Sequence, residues 1–112
     1  MIYGCLNNPI PYLPQSLREL SFGSFHYDSV DNLPKSLTYL KLGYDFDLPI
    51  DNLPDTLVEL VLGDEFNQPV DFLPPNLLRL TFGDEFNKPV HNLPNTLQYI
   101  KFGKYYHYHS HF

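Results

Sequence analysis

Apolar positions along this chain recur every twenty residues. The recurrence gives three apolar columns: Leu17, Leu37, Leu57, Leu77 and Leu97; Leu20, Leu40, Leu60, Leu80 and Ile100; and Phe22, Leu42, Leu62, Phe82 and Phe102. The last two columns are separated by one residue that varies in character, which is the alternation of a β-strand with one buried face. The pattern therefore predicts one short strand in each repeat.

The residues between the strands predict turns and exclude helices. Nine of the eleven prolines fall on two columns: Pro9, Pro49, Pro69 and Pro89, and Pro14, Pro34, Pro54, Pro74 and Pro94. Proline removes a donor and clashes with the preceding turn of a helix, so we expect turns, short 3₁₀ pieces and extended chain. A glycine follows every strand, at Gly23, Gly43, Gly63, Gly83 and Gly103. Its recurrence predicts either a positive φ or a close approach between backbones.

Strands at this spacing, with no room for a helix, fit a tight coil. Successive strands should then lie side by side in parallel, about 4.8 Å apart. We expect one domain over 1–112, with an N-terminal cap and partial repeat at 1–16, tandem repeats at 17–103 and a C-terminal cap or tail at 104–112. The strand half of the first, partial repeat is expected to be missing or degenerate, which leaves a sheet of five strands.

Charge and cysteine content narrow the class of partner and the compartment. The formal net charge is -6 and no lysine or arginine cluster offsets it, so nucleic acid is an unsuitable partner. Cys5 is the lone cysteine, so no intramolecular disulfide forms and an intracellular location is favoured. We find no targeting segment and no apolar run that would span a membrane.

Two segments carry a recognisable motif. LVLGDEFNQPV at 60–70 and LTFGDEFNKPV at 80–90 resemble the FNIP repeats, also described by an FGxxFN motif. These form a leucine-rich-repeat subfamily abundant in social amoebae and in large DNA viruses of protists. The resemblance implies a right-handed leucine-rich-repeat solenoid with a concave parallel β-sheet, in the cytoplasm of the cell or, for a viral protein, of its host. The family's structural positions map here onto a phenylalanine spine (Phe46, Phe66, Phe86), a buried asparagine ladder (Asn67, Asn87) and the turn glycines (Gly43, Gly63, Gly83).

The resemblance also suggests a function and shows where this chain departs from the family. Many family members place the repeats after an F-box and are presumed to select targets for ubiquitin ligases, but we see no F-box here. The aromatic column has His26 and Tyr106 at its ends, and Phe25 is a candidate substitute for the spine in the irregular repeat. Asp47 stands in the asparagine column, where an ionised carboxylate only accepts hydrogen bonds. We therefore expect a looser turn at Asp47.

The outward strand positions are the candidate binding site. They form a first row (Glu19, Tyr39, Glu59, Arg79, Tyr99), a second row (Ser21, Lys41, Val61, Thr81, Lys101) and an entrance row (Arg18, Thr38, Val58, Leu78, Gln98). We call the three rows the outward face. Because these positions vary while their neighbours do not, they suggest a non-enzymatic module that binds a partner protein. The alternative is a solvated sheet face on which Lys41 pairs with Glu19 or Glu59, and Arg79 with Glu59.

The remaining candidate sites are weaker. Carboxylates in the turns after the strands, at Asp45, Asp64, Glu65, Asp84 and Glu85, suggest either a Ca²⁺ site or simple turn chemistry, which we favour. His107, His109 and His111 alternate in the tail and suggest a metal site, against the favoured alternative that Tyr106, Tyr108 and Phe112 cap the last repeat. No catalytic constellation or cofactor motif is present. The open sheet ends also suggest a self-associating protein, end to end or by swapped caps.

Overall fold

The protein is described by a computed structural model that covers residues 2–3, 13–23 and 29–107, the first two by their backbone alone. Most of the expected N-terminal cap lies outside the described residues. So do the irregular turn containing Phe25 and His26, and the tail positions Tyr108, His109, His111 and Phe112.

The described residues form one parallel sheet whose strands follow each other in chain order. The strands are β1 (Ile2–Tyr3), β2 (Glu19–Phe22), β3 (Tyr39–Lys41), β4 (Glu59–Val61), β5 (Arg79–Thr81) and β6 (Tyr99–Lys101). From β2 to β6 every register pair is separated by twenty residues, as in Leu40 opposite Leu60. The parallel coil is confirmed. The expected five strands gain a sixth, because Ile2 pairs with Ser21 and Tyr3 with Phe22.

Each return limb ends, just before the next strand, with a turn built on a proline. The carbonyl of the second-column proline accepts a hydrogen bond from the leucine amide three residues later, as in Pro54 with Leu57 at 3.3 Å. Proline lacks an amide donor, but here only its carbonyl is needed, so it fixes the turn without losing a bond. Between the strands, the described residues contain turns and extended chain and no helix of either the α or the 3₁₀ type.

The glycine after each strand marks the closest approach between neighbouring coils. Among the described residues no glycine has a positive φ, so the first of the two predicted explanations is wrong. A Cβ built on Gly63 would lie 2.1 Å from the carbonyl oxygen of Gly43, and one on Gly83 would lie 2.4 Å from that of Gly63. These distances are far inside van der Waals contact, so close backbone approach accounts for the glycine column.

The core runs the length of the coil between the sheet and a spine of stacked aromatic rings. Leu20, Leu40, Leu60 and Leu80 are fully buried beneath the strands. Phe46, Phe66 and Phe86 are also fully buried and stack with centroids 6.3 and 6.1 Å apart, and Tyr106 extends the stack. Because strands in a sheet lie only about 4.8 Å apart, the repeats fan open towards the spine. The sheet therefore lies on the inner, concave side of the curve.

Polar side chains link each coil to the one before it. In the asparagine column, the Oδ1 atoms of Asp47, Asn67 and Asn87 accept the backbone amides of Asn67, Asn87 and His107 at 2.9, 2.9 and 3.0 Å. The expected loosening at Asp47 is therefore absent, because this bond requires only an acceptor, which a carboxylate provides as well as an amide. The ladder is also less buried than expected, since Asn67 and Asn87 are half-buried and Asp47 is exposed.

A second ladder follows the turn after the second proline column. The hydroxyls of Ser36, Thr56 and Thr96 donate to the carbonyls of Leu17, Leu37 and Leu77 at 2.6, 2.5 and 2.7 Å. These carbonyls precede the strands, where the main-chain ladder has not yet begun. The serine and threonine column thus has a structural role, in bonding one turn to the previous one.

Candidate interaction surface

The first and second rows of the outward face lie together on one side of the sheet, and the entrance row comes directly before the strands. Strand register places Glu19, Tyr39, Glu59, Arg79 and Tyr99 side by side, and likewise Ser21, Lys41, Val61, Thr81 and Lys101. All ten are exposed or half-buried, in alternation with the buried column of Leu20, Leu40, Leu60 and Leu80. These residues therefore form two continuous accessible rows, and their role in binding stays a prediction.

Three charged residues near the centre of the outward face are neighbours without pairing with one another. Glu59 lies in register with Arg79 and Tyr39, and Lys41 is two residues beyond Tyr39 on β3. Within the described part of the chain, Lys41, Glu59 and Arg79 form no ion pair. The cross-strand pairs expected for Lys41 and Arg79 are therefore not formed among the described residues, while the alternative of a solvated sheet face stays open.

A cleft of about 360 Å³ opens where strands β2 to β4 end. Its walls include Leu42 and Leu62, the backbones of Gly43 and Gly63 contribute to its lining, and Lys41 and Val61 of the second row border it. Tyr44, which is 53% exposed, and Asp64 also line the cleft. The glycine column does not itself create this space, because the position of a Cβ on Gly63 is already filled by the Gly43 backbone.

Acidic residues of the turns act on Tyr44, which lines the cleft. The carboxylate of Glu65 above all, with burial and then Asp64, Asp45 and Glu85, raises the pKa of the Tyr44 phenol above its ordinary value of 10.0. The phenol is protonated at neutral pH even at its ordinary pKa, so the raised pKa extends its ability to donate a hydrogen bond to more alkaline pH. The turn carboxylates also have bonding roles: Oδ1 of Asp64 accepts the amide of Asp84 at 3.3 Å, and Oδ1 of Asp84 accepts that of Lys104 at 3.1 Å.

The described residues give little support to the other candidate sites. No group of three or more His, Cys, Asp or Glu side chains within them is arranged to hold a metal ion. His107 is exposed, while His109 and His111 lie outside the described residues. The part of the chain that the structure describes includes no helix long and apolar enough to cross a membrane. Tyr106 is buried and stacks on Phe86 and Phe102, as expected for part of a cap.

Sequence reasoning found the rows but missed the cleft and the hydroxyl ladder. The ladder had a signal, since Ser16, Ser36, Thr56 and Thr96 occupy one column of the twenty-residue repeat, with Asn76 between the two threonines. The cleft had no signal in the sequence, because it forms between neighbouring coils.

One strand per twenty-residue coil, a parallel sheet on the concave side and a spine of stacked rings define a leucine-rich-repeat solenoid. Family comparison makes the assignment specific. The model of the FNIP Repeat matches residues 29–65 and 66–105, which together are more than half of the chain. The protein therefore belongs to the FNIP-repeat family.

Comparison with solved structures gives the same fold. The chain is similar to CroV588, described as a novel circular leucine-rich-repeat protein, with a TM-score of 0.76 and 39% sequence identity. The similarity covers 81% of this chain and 15% of that chain, so the present sequence corresponds to a small part of the longer protein. A search of curated proteins found no significant match.

Proposed function

We propose that this protein is a non-enzymatic interaction module that binds a partner protein through the outward face of its sheet. The observation that carries the proposal is the contrast between two sets of positions on the same strands. Inward positions contain only leucine, isoleucine and phenylalanine, whereas outward positions include acidic, basic, aromatic and aliphatic residues. Packing explains the first set and places few demands on the second.

The anchors of the proposed interface are Tyr39, Arg79 and Tyr99. Tyrosine and arginine are the residue types that contribute most at protein interfaces, because they combine a large contact area with hydrogen-bonding groups. Tyr99 is 51% exposed, Arg79 is exposed and Tyr39 is half-buried, so all three present accessible surface. Each stands on a different strand, and the hydrogen-bonded sheet holds them in fixed relative positions.

We expect the triple variant Tyr39→Ala/Arg79→Ala/Tyr99→Ala to lose its partner while keeping its fold. The measurement is capture from a lysate of the source cells on immobilised protein, quantified by mass spectrometry and paired with a thermal melting curve. Since the three side chains lie outside the core, the curve should stay close to that of the unaltered protein.

The matched control is Lys35→Ala/Phe72→Ala/Tyr105→Ala. It also removes one cation and two exposed aromatic rings, but none of these residues is on the outward face. Capture lost in the first variant and retained in the control supports the proposal. Equal capture by the two variants, or none by the unaltered protein, overturns it.

Self-association is a second candidate, favoured by the last repeat. Leu97, Ile100 and Phe102 are only partly buried, whereas their counterparts Leu77, Leu80 and Phe82 are buried. β6 also ends the described sheet and leaves one side of a strand without a neighbour. If these features form an interface, light scattering should give a mass above that of the monomer which falls when residues 104–112 are deleted. A monomer at every concentration removes this candidate.

A further inference from the structure

We infer that the segment recognised by the outward face is an extended acidic peptide with the pattern acidic-x-apolar-x-acidic, lying across the strands along the second row. This inference rests on the proposed function and specifies its ligand. It is carried by three observations: the charge of the face, the spacing of two lysines and the position of the cleft.

Charge is distributed unevenly between the outward face and the rest of the protein. Of the seven lysines and arginines, four are on the face: Arg18, Lys41, Arg79 and Lys101. Of the thirteen acidic residues, only Glu19 and Glu59 are there. A protein with a net charge of -6 thus presents a sheet face with an excess of positive charge. Such a face attracts an acidic ligand, while the surrounding acidic turns repel one that is out of register.

The two lysines of the second row are spaced to match an extended chain. Lys41 is on β3 and Lys101 on β6, three strand spacings apart, which is about 14 Å at about 4.8 Å per strand. In an extended peptide, residues i and i+4 point to the same side and lie about 13 Å apart. Curvature shortens the distance on the concave side and improves the match. Carboxylates at i and i+4 can therefore pair with both lysines.

The cleft accounts for the apolar residue between them. Position i+2 of such a peptide falls about 7 Å along the row from Lys41, between Val61 on β4 and Thr81 on β5 and nearer to Val61. An apolar side chain there can pack on Val61, at the edge of the cleft of about 360 Å³ that Val61 helps to line. Asp64 also lines the cleft, and its carboxylate disfavours a peptide carboxylate there.

Selection from a displayed library of random twelve-residue peptides tests the inference without a known partner. We expect the enriched peptides to be acidic and to share the acidic-x-apolar-x-acidic pattern. Lys41→Glu/Lys101→Glu should bind a selected peptide at least about tenfold more weakly in fluorescence polarisation, because both attractive contacts become repulsive. Binding to the unaltered protein should weaken as salt concentration rises.

Lys35→Glu/Lys88→Glu is the matched control, since it makes the same change in net charge at positions off the outward face. It should change peptide affinity less than about twofold, and both variants should melt like the unaltered protein. Neutral or basic enriched peptides, equal effects of the two variants, or no enrichment at all would each overturn the inference. None of these results affects the outcome of the capture experiment on Tyr39, Arg79 and Tyr99. The proposed function is therefore tested independently of this inference.

Discussion

Replacing Phe66 with alanine is expected to lower the free energy of unfolding by about 3–5 kcal/mol. The ring is fully buried and stacks on Phe46 and Phe86 on its two sides. Its removal leaves a cavity in the middle of the spine, and the adjacent coils cannot collapse into it because the ladders of hydrogen bonds fix their spacing. Chemical denaturation followed by circular dichroism measures the change.

Phe72→Ala is the matched control for this prediction. It makes the same substitution on a ring that is 68% exposed, in a turn. We expect a change within about 0.5 kcal/mol. Phe66→Leu should fall between the two, since it keeps part of the buried volume. A loss below about 1 kcal/mol for Phe66→Ala would contradict a packed spine.

Gly63→Ala is expected to destabilise the protein by about 3 kcal/mol or more, the upper part of the range for overpacking. At a glycine with an ordinary φ this substitution usually stabilises, by about 0.4–1 kcal/mol, through the unfolded chain. Here the added methyl would lie 2.1 Å from the oxygen and 2.7 Å from the carbon of the Gly43 carbonyl. The three nearest atoms all belong to the backbone of the preceding coil, so no side chain can move away and the two coils must separate.

The sign of the stability change in Gly63→Ala shows whether the close approach between the coils outweighs the usual gain through the unfolded chain. Glu65→Ala, at an exposed position in the same turn, should change stability by no more than about 0.5 kcal/mol. Stability equal to or above that of the unaltered protein in Gly63→Ala would show that the close approach does not constrain the coil.

Positions governed by periodicity were predictable from the sequence. Leu60 and Leu62 alternate with Val61, and this alternation assigns a buried and an outward side to β4 before any coordinates exist. The order of the strands follows too, because a twenty-residue coil without a helix leaves only its neighbours to pair with. The spine of Phe46, Phe66 and Phe86 was predicted through the family resemblance, and the stacking confirms it.

Properties that depend on the distance between coils were not predictable. The glycine column was consistent with a positive φ or with close approach, and only the position of Gly43 relative to Gly63 decides between them. Likewise, Asp47 looked unsuitable for an asparagine ladder until the bond proved to need an acceptor alone. The cleft beside Val61 belongs to the same group, since it arises between repeats and within none of them.

The side-chain ladders give the solenoid a direction. Asn67, Asn87 and His107 donate from the later coil to an acceptor in the earlier one, and the hydroxyls of Thr56 and Thr96 do the same. The carboxyl end of the solenoid therefore presents hydrogen-bond acceptors, and the amino end presents donors. If two copies met through the same end, acceptors would face acceptors or donors would face donors. If the protein assembles through its ends, the polarity of its hydrogen bonds selects head-to-tail over two-fold symmetric contacts.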